Sequence, residues 1–191
     1  GGTIQNTSGH GITLANVGGS VSLGYMNVTN SGLTGIQGAP VGCVFATNPS
    51  ELGVNNFTLN RCNVSDAAGN VTSDDGVRLE DATGNVTITN NSITGSRHQG
   101  LTVDNFNSNI ASFTMNGTTV SGTAGGDGML MQMRGTSVLT TGTIGVPGNG
   151  ETGSSNASTG WKMANGENGN IWSMRVKNRT GKANTAGKAN E

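Results

Sequence analysis

Short runs in which apolar and polar residues alternate recur along the chain. The stretch 76–103 contains three of them, and then the first run returns. The apolar residues of the three runs are Val77, Leu79, Val86, Ile88 and Ile93, and those of the returning run are Leu101 and Val103. A period of two is typical of a strand with one buried face, and the Asn, Gly, Ser and Asp residues between the runs are typical of turns. Three short strands followed by a return predict a coil with three walls.

The runs recur at regular offsets. Runs of the predicted second wall begin at Val21, Phe57, Val86 and Phe113, and apolar residues of the third wall lie seven residues later, at Val28, Val64, Ile93 and Val120. Runs of the first wall each follow a glycine and begin with Ile12, Ile36, Val77, Leu101 and Met129. One such unit cannot bury its apolar face alone, whereas stacked units bury a continuous column and pair in parallel. The sequence therefore predicts an all-β parallel β-helix of about five to six turns, with three short strands per turn.

One interval breaks this regularity. Two pairs of successive first-wall glycines are 24 residues apart, but Gly35 and Gly76 are separated by 41. We expect the extra residues to form an insertion loop over about 38–53, because Pro40 and Pro49 cannot donate hydrogen bonds to a sheet.

The pattern weakens from about Gly145 onward. In this interpretation the repeats occupy 1–144, and a weak terminal turn follows over 145–176. Segment 177–191 is basic and offers almost nothing to bury, so we expect it to be disordered. The chain opens inside a repeat without an initiator Met. We therefore expect a piece of a longer protein, in which neighbouring β-helix repeats protect the open ends of the coil.

Composition narrows the classes of function. Gly accounts for 33 of 191 residues and charged residues for only 11%, which argues against a helical domain rich in Ala, Leu, Glu and Lys. The net charge of −1 gives no reason to expect a nucleic-acid partner, and no apolar run is long enough for membrane insertion. Cys43 and Cys62 do not make a disulfide scaffold. We expect two buried thiols, with a single bridge between them as the alternative.

The units at 11–36, 76–103 and 125–131 resemble right-handed parallel β-helix repeats. Pectin-degrading enzymes share such repeats with the long passenger regions of bacterial surface and autotransported proteins. The resemblance covers roughly residues 3–140 and implies a right-handed coil, in agreement with the general rule for parallel crossovers. It also implies an extracellular or cell-surface (outer-membrane) location. It is specific for the fold rather than for a function, because chemistry depends on a few outward side chains.

Asp74, Asp75 and His98 are the candidate catalytic residues. Asp75 and His98 are 23 residues apart, close to one turn, so we expect their sites to stack on the same edge of the coil. Paired carboxylates one turn before a histidine resemble the polygalacturonase type of glycoside hydrolase, in which a carboxylic acid protonates the leaving oxygen and carboxylates activate water. That family's Asn-Thr-Asp and Arg-Ile-Lys segments are absent here. In the alternative interpretation, Asp and His before Gly are turn residues.

Two other kinds of site fit the sequence less well. A pectate-lyase-like site needs clustered carboxylates for Ca²⁺. The candidates that are expected to face one wall are Asp74, Asp75, Glu80, Asp81 and Asp104. Because acidic residues scattered on a solvated face are the commoner case, we expect adventitious Ca²⁺ at most and no cofactor. An ice-binding face needs regular Thr-x-Thr on one wall in successive turns, and Thr87, Thr89 and Thr114 are too irregular for that.

The sequence thus predicts a non-catalytic repeat segment of a secreted or cell-surface protein, acting as a structural stalk or as an adhesive, glycan-contacting passenger. The partner expected for it is a polysaccharide or a host or cell surface. The alternative is a fragment of a polysaccharide-cleaving hydrolase or lyase, with Asp74, Asp75 and His98 as its candidate residues.

Overall fold

The structure, a computed structural model, describes residues 1–15, 17–39, 53–67 and 74–145, and the backbone of short strands between 152 and 181. The strands up to residue 65 are β1 (Gly2–Thr7), β2 (Ile12–Ala15), β3 (Val21–Gly24), β4 (Met26–Ser31), β5 (Ile36–Ala39), β6 (Asn55–Asn60) and β7 (Asn63–Ser65). Those up to residue 144 are β8 (Val77–Glu80), β9 (Thr83–Thr89), β10 (Ser92–Thr94), β11 (Leu101–Phe106), β12 (Ile110–Asn116), β13 (Thr119–Ser121), β14 (Met129–Arg134) and β15 (Val138–Ile144). The remaining ones are β16 (Thr152–Ser154), β17 (Trp161–Asn165), β18 (Asn170–Ile171), β19 (Met174–Val176) and β20 (Thr180–Gly181).

These strands form a parallel β-solenoid with three sheets and three strands per turn. The first wall contains β2, β5, β8, β11, β14 and β17; the second contains β3, β6, β9, β12, β15 and β18, with β19 also beside β15; the third contains β1, β4, β7, β10, β13, β16 and β20. The coil makes about four turns. Our expectation of five to six was too high because it included the segment beyond 145, where the strands have only two to five residues.

The predicted inward ladders are confirmed. On each wall the predicted residues are register partners, and from the second turn onward they are buried with at most 1% of their surface exposed. The ladders are Ile12, Ile36, Val77, Leu101 and Met129 on the first wall; Val21, Phe57, Val86 and Phe113 on the second; and Val28, Val64, Ile93 and Val120 on the third. A single apolar column therefore runs along the axis of the coil.

Side-chain volume alternates along the second-wall ladder. Phe57 and Phe113 are separated by Val86, and the next position after Phe113 is Gly142. Neighbouring parallel strands lie only about 4.8 Å apart, so large rings on successive rungs would compete for the same space. Alternating large and small residues lets the layers interdigitate without voids.

Two of the strands up to residue 145 were not identified from the sequence. β1 forms the start of the third wall, where Ile4 pairs with Val28, but Ile4 is the only apolar residue of that strand, so no alternation is visible. β15 continues the second wall and buries Leu139 and Ile144. Four residues of low hydrophobicity separate Leu139 from Ile144, so the alternation of apolar and polar residues is not visible in this strand.

The glycine before each first-wall strand is required by close packing. A Cβ added to Gly76 would lie 2.6 Å from Ile93 Cγ2, and one added to Gly35 would lie 2.5 Å from Val64 Cγ1. Neither glycine has a positive φ. The third-wall side chain of the same turn fills the space that a larger residue would need, so the backbone of this corner passes directly over the apolar column.

Asparagine side chains connect successive turns of the coil. Asn90 has a left-handed backbone with φ of 57°. Asn91 is buried; its Oδ1 accepts from Cys62 N at 2.8 Å and its Nδ2 donates to Leu59 O at 3.1 Å. Asn105 makes the same double contact with the peptide N–H and C=O of the residue one turn earlier. These side chains satisfy backbone groups that the ladders leave unpaired at the corners.

Several predicted features lie outside the described residues. They include positions 40–52 of the insertion loop, Cys43, and most of the basic segment 177–191. Cys62 is buried and its thiol is free. Within the described part of the chain, no helix has the length and apolar character needed to cross a bilayer.

Replacing a glycine of the packed corner should destabilise the fold. We expect Gly76→Ala to lower the free energy of unfolding by about 1–3 kcal/mol, the usual cost of overpacking. Gly9→Ala is the matched control, since no heavy atom lies within 4 Å of an added Cβ there, and it should change stability by no more than about 1 kcal/mol. Urea unfolding followed by circular dichroism measures both. Equal losses in the two variants would contradict the packing argument.

Candidate functional site

In the strands up to β15, charged residues are confined to the outer face of the first wall. Strands β1, β3, β4, β6, β7, β9, β10, β12, β13 and β15 contain no Asp, Glu, Lys or Arg. Charged side chains occupy outward positions of β8, β11 and β14 and the turns that precede these strands. We call this set the first-wall cluster: Asp75, Arg78, Glu80, His98, Asp104 and Arg134.

The structure brings Asp75 and His98 together on successive turns. The distance from Asp75 Oδ1 to His98 Nδ1 is 2.7 Å, and the same oxygen accepts from the backbone N–H of Gln99 at 3.0 Å. An ionised carboxylate only accepts, so this contact favours the tautomer with the proton on Nδ1. Asp75 is fully buried at 0% exposure, whereas His98 is partly exposed. Asp74 is adjacent and buried, and its carbonyl oxygen accepts from His98 N at 3.1 Å.

Arg78 joins Asp75 to Glu80. Its Nη1 lies 3.1 Å from Asp75 Oδ2, and its Nε lies 2.6 Å from Glu80 Oε1. Burial by itself would lower the pKa of Arg78, but the attraction of Asp75 and Glu80 outweighs it, and the pKa is raised. One guanidinium thus neutralises two carboxylates that the wall removes from water.

Asp104 is held by Arg134 in a two-point contact. Arg134 Nε lies 2.8 Å from Asp104 Oδ1, and Arg134 Nη2 lies 2.9 Å from Oδ2. Asp104 is also the register partner of Glu80, so these carboxyl groups belong to neighbouring strands of the same wall. Burial raises the pKa of Asp104, and the contact with Arg134 offsets only part of that rise.

Glu80 is a member of the first-wall cluster with a buried oxygen that makes no hydrogen bond. Its side chain is buried, and its Oε2 has no hydrogen-bond partner. Burial raises its pKa; Arg78 opposes the rise, while the nearby Asp104 and Asp81 add to it. Sequence reasoning named Glu80 and Asp104 only among acids for Ca²⁺ and missed them as a pair. The 24-residue separation of the two, equal to that of Gly76 and Gly100, was the available signal.

Metal binding has no geometric support in the described residues. No group of three or more His, Cys, Asp or Glu side chains in them is placed to hold an ion. Of the acids proposed for Ca²⁺, Asp75, Glu80 and Asp104 are already bound to arginine side chains. The cluster therefore uses its own cations where a calcium site would need a free carboxylate cage.

Two exposed aromatic rings lie at corners of the coil. Tyr25 is 61% exposed with Arg61 above its ring at 5.5 Å, and Phe106 is 38% exposed with Arg134 above its ring at 6.0 Å. In both cases the arginine occupies the equivalent position one turn later, a stacking that sequence reasoning did not detect. The contacts add cation–π attraction to the coil surface.

No protein-family model, curated protein or solved structure matches this chain. The chain is a parallel β-solenoid with three sheets. The strand register establishes this architecture. A function for the chain must be argued from the side chains on the outer faces of the walls.

Removing Arg78 should destabilise the protein strongly. Arg78→Ala leaves Asp75 and Glu80 buried without their cation, and breaking such a pair typically costs about 3–5 kcal/mol. Arg97→Ala is the control, because Arg97 is exposed and lies one residue before His98. Urea denaturation of both variants measures the difference. A loss for Arg78→Ala no larger than for Arg97→Ala would show that the cluster is solvated rather than buried.

Glu80 should make stability depend on pH. Because its pKa is higher in the folded than in the unfolded chain, its contribution is complete below the unfolded value and is lost as the pH rises through the folded value. Glu80→Gln does not ionise, so its free energy of unfolding should decline less than that of the unmodified protein as the pH rises from 4 to 7. Urea titrations across this range test it, and equally steep declines would contradict the assignment.

Proposed function

We propose that this chain is a non-catalytic repeat segment of a secreted or cell-surface protein, serving as a structural stalk or glycan-contacting passenger. The observation that carries the proposal is the state of Asp75, the central candidate acid. Both of its oxygens are bound to groups of the protein, and its side chain has no exposed surface.

A catalytic acid or base must come within hydrogen-bond distance of the substrate atom that it protonates or deprotonates. The oxygens of Asp75 are instead engaged by His98, Gln99 and Arg78. Of the pair, only His98 is partly exposed, and its Nδ1 is already engaged by Asp75. This arrangement supports the interpretation of Asp75 and His98 as residues that bind one turn to the next.

The other two walls support a stalk or contact surface. In the strands up to β15, their polar side chains are Ser, Thr, Asn and Gln on a rigid stack of strands, which is typical of a surface that contacts neutral partners over a large area. The right hand of the coil and the cell-surface location belong to this proposal, because both derive from the resemblance to passenger repeats. A polysaccharide or another cell surface is the partner that such walls fit.

One observation favours a second candidate, a polysaccharide-cleaving enzyme. Glu80 and Asp104 are neighbouring carboxyl groups whose pKa values are raised by burial, and Glu80 Oε2 has no partner. Perturbed carboxyl pairs of this kind are enriched in active sites, although structural ion-pair networks produce them as well. In this second interpretation Glu80 is the acid that donates a proton, and Asp104 and Arg134 orient the sugar.

Incubation with polygalacturonate and pectin separates these functions. We expect no release of reducing ends and no unsaturated product, because the carboxyl groups are bound within the wall. Glu80→Gln and Asp75→Asn are assayed beside the unmodified protein, with Asp66→Asn, at an exposed turn, as the matched control. Cleavage that disappears in Glu80→Gln and persists in Asp66→Asn would overturn the non-catalytic proposal in favour of the enzyme.

A further inference from the structure

A strongly exposed aromatic ring lies at the corner between the second and third walls. Tyr25 is 61% exposed, and the guanidinium of Arg61, one turn later, lies over its ring at 5.5 Å and donates to its hydroxyl. We call these two side chains the corner pair. The position one turn before Tyr25 is Gly1, since Gly2 pairs with Met26. Glycine has no side chain, so the column of equivalent residues covers only one side of the ring.

The backbone of the corner pair is unusual for such large side chains. Tyr25 has φ of 56° and Arg61 has φ of 54°, both in the left-handed region that large residues rarely adopt. The next two turns place Asn90 and Gly117 at this corner, also with positive φ, and these residue types tolerate that conformation. The fold therefore does not require a ring or a cation here. Side chains kept in an unfavourable backbone conformation are often found at functional sites.

The other stack of an arginine on an exposed ring indicates which group completes such an arginine. Arg134 lies over Phe106 at 6.0 Å, and its Nε and Nη2 both bind the carboxylate of Asp104. Arg61 has the same relation to its ring, but its side chain forms no ion pair within the part of the chain that the structure describes. Its planar guanidinium therefore has donors for a two-point contact with a carboxylate from outside the protein.

The surroundings of the corner pair favour a sugar as the bearer of that carboxylate. The strands before and after Tyr25 present the hydroxyl groups of Ser22 and Thr29, which both donate and accept, as sugar hydroxyls do. In the strands up to β15, the two walls that meet at this corner contain no charged residue. One cation between neutral surfaces suits one acidic sugar in a neutral glycan, whereas a chain with a carboxylate on every sugar would require a row of cations.

We propose that the corner pair binds a carboxylated sugar within an otherwise neutral glycan. The sugar packs its C–H face against the uncovered side of the Tyr25 ring. Because Arg61 Nη1 donates to the tyrosine hydroxyl, the guanidinium reaches the hydroxyl edge of the ring, and the carboxylate of the sugar binds it there. This inference rests on the proposed glycan-contacting function and adds a site and a charge for the partner. It uses no residue of the first-wall cluster, so it and the non-catalytic assignment are tested separately.

Titrations with methyl glucuronide and methyl glucoside, followed by NMR of the protein, test the proposal, because these sugars differ only in the carboxylate. We expect the glucuronide to bind at least about tenfold more tightly, the usual effect of a charge-assisted hydrogen bond. Tyr25→Asn and Arg61→Asn should each weaken its binding by about tenfold or more.

Asparagine is the residue that the next turn places at this corner, as Asn90, so both variants should keep the fold, which circular dichroism checks. Arg97→Asn is the matched control, because Arg97 is exposed at the corner between the third and first walls. This variant should bind the glucuronide as tightly as the unmodified protein does.

Absence of glucuronide binding by the unmodified protein would overturn the proposal, as would undiminished binding in Tyr25→Asn or Arg61→Asn or an equal loss in Arg97→Asn. Equal affinity for the two sugars would also overturn it and assign the ring to a neutral sugar. An acetylated glutamate amide that binds as tightly as the glucuronide would instead assign the corner pair to an acidic peptide. In each of these cases the assay for polysaccharide cleavage still decides the proposed function, because it depends on other residues.

Discussion

The structure depends on parallel pairing in register between successive turns. Each residue of a strand lies next to its equivalent one turn earlier and one turn later, so every property of a side chain is repeated along a column. Apolar residues become a continuous core, with Val77, Leu101 and Met129 as one example. The same constraint requires glycine where the corner passes over the core, as at Gly76, and it places Asn91 and Asn105 where they bind the backbone of the neighbouring turn.

Stacking in register makes charge difficult to place. Like charges at equivalent positions repel one another at close range, and in the described strands up to β15 the fold confines charged residues to one wall. There Arg78 lies between Asp75 and Glu80, and Arg134 holds Asp104. Glu80 and Asp104 are the place where two acids still stack, and burial raises the pKa of both.

The walls therefore differ in chemistry although they share one architecture. The first wall is charged, and its groups bind mainly one another. The second and third walls are neutral over the strands up to β15, with hydroxyls and amides facing outward. A solenoid can thus have one face whose charged groups bind one another and hold the turns together. Its other faces can be neutral and available to large partners.

The sequence by itself determined the coil, its three walls and the inward ladders. The reason is that a strand with one buried face shows alternating apolar residues within a few positions, as at Val86 and Ile88. It did not reveal β1 or β15, whose apolar residues are too few or too far apart. It also placed Asp75 near His98 but not the buried bonds between them. Outward relationships such as Glu80 beside Asp104, or Thr58 beside Thr87, were decided only by the tertiary structure. The physical reason is that turns of unequal length conceal the register, and only the register determines which side chains meet on the surface.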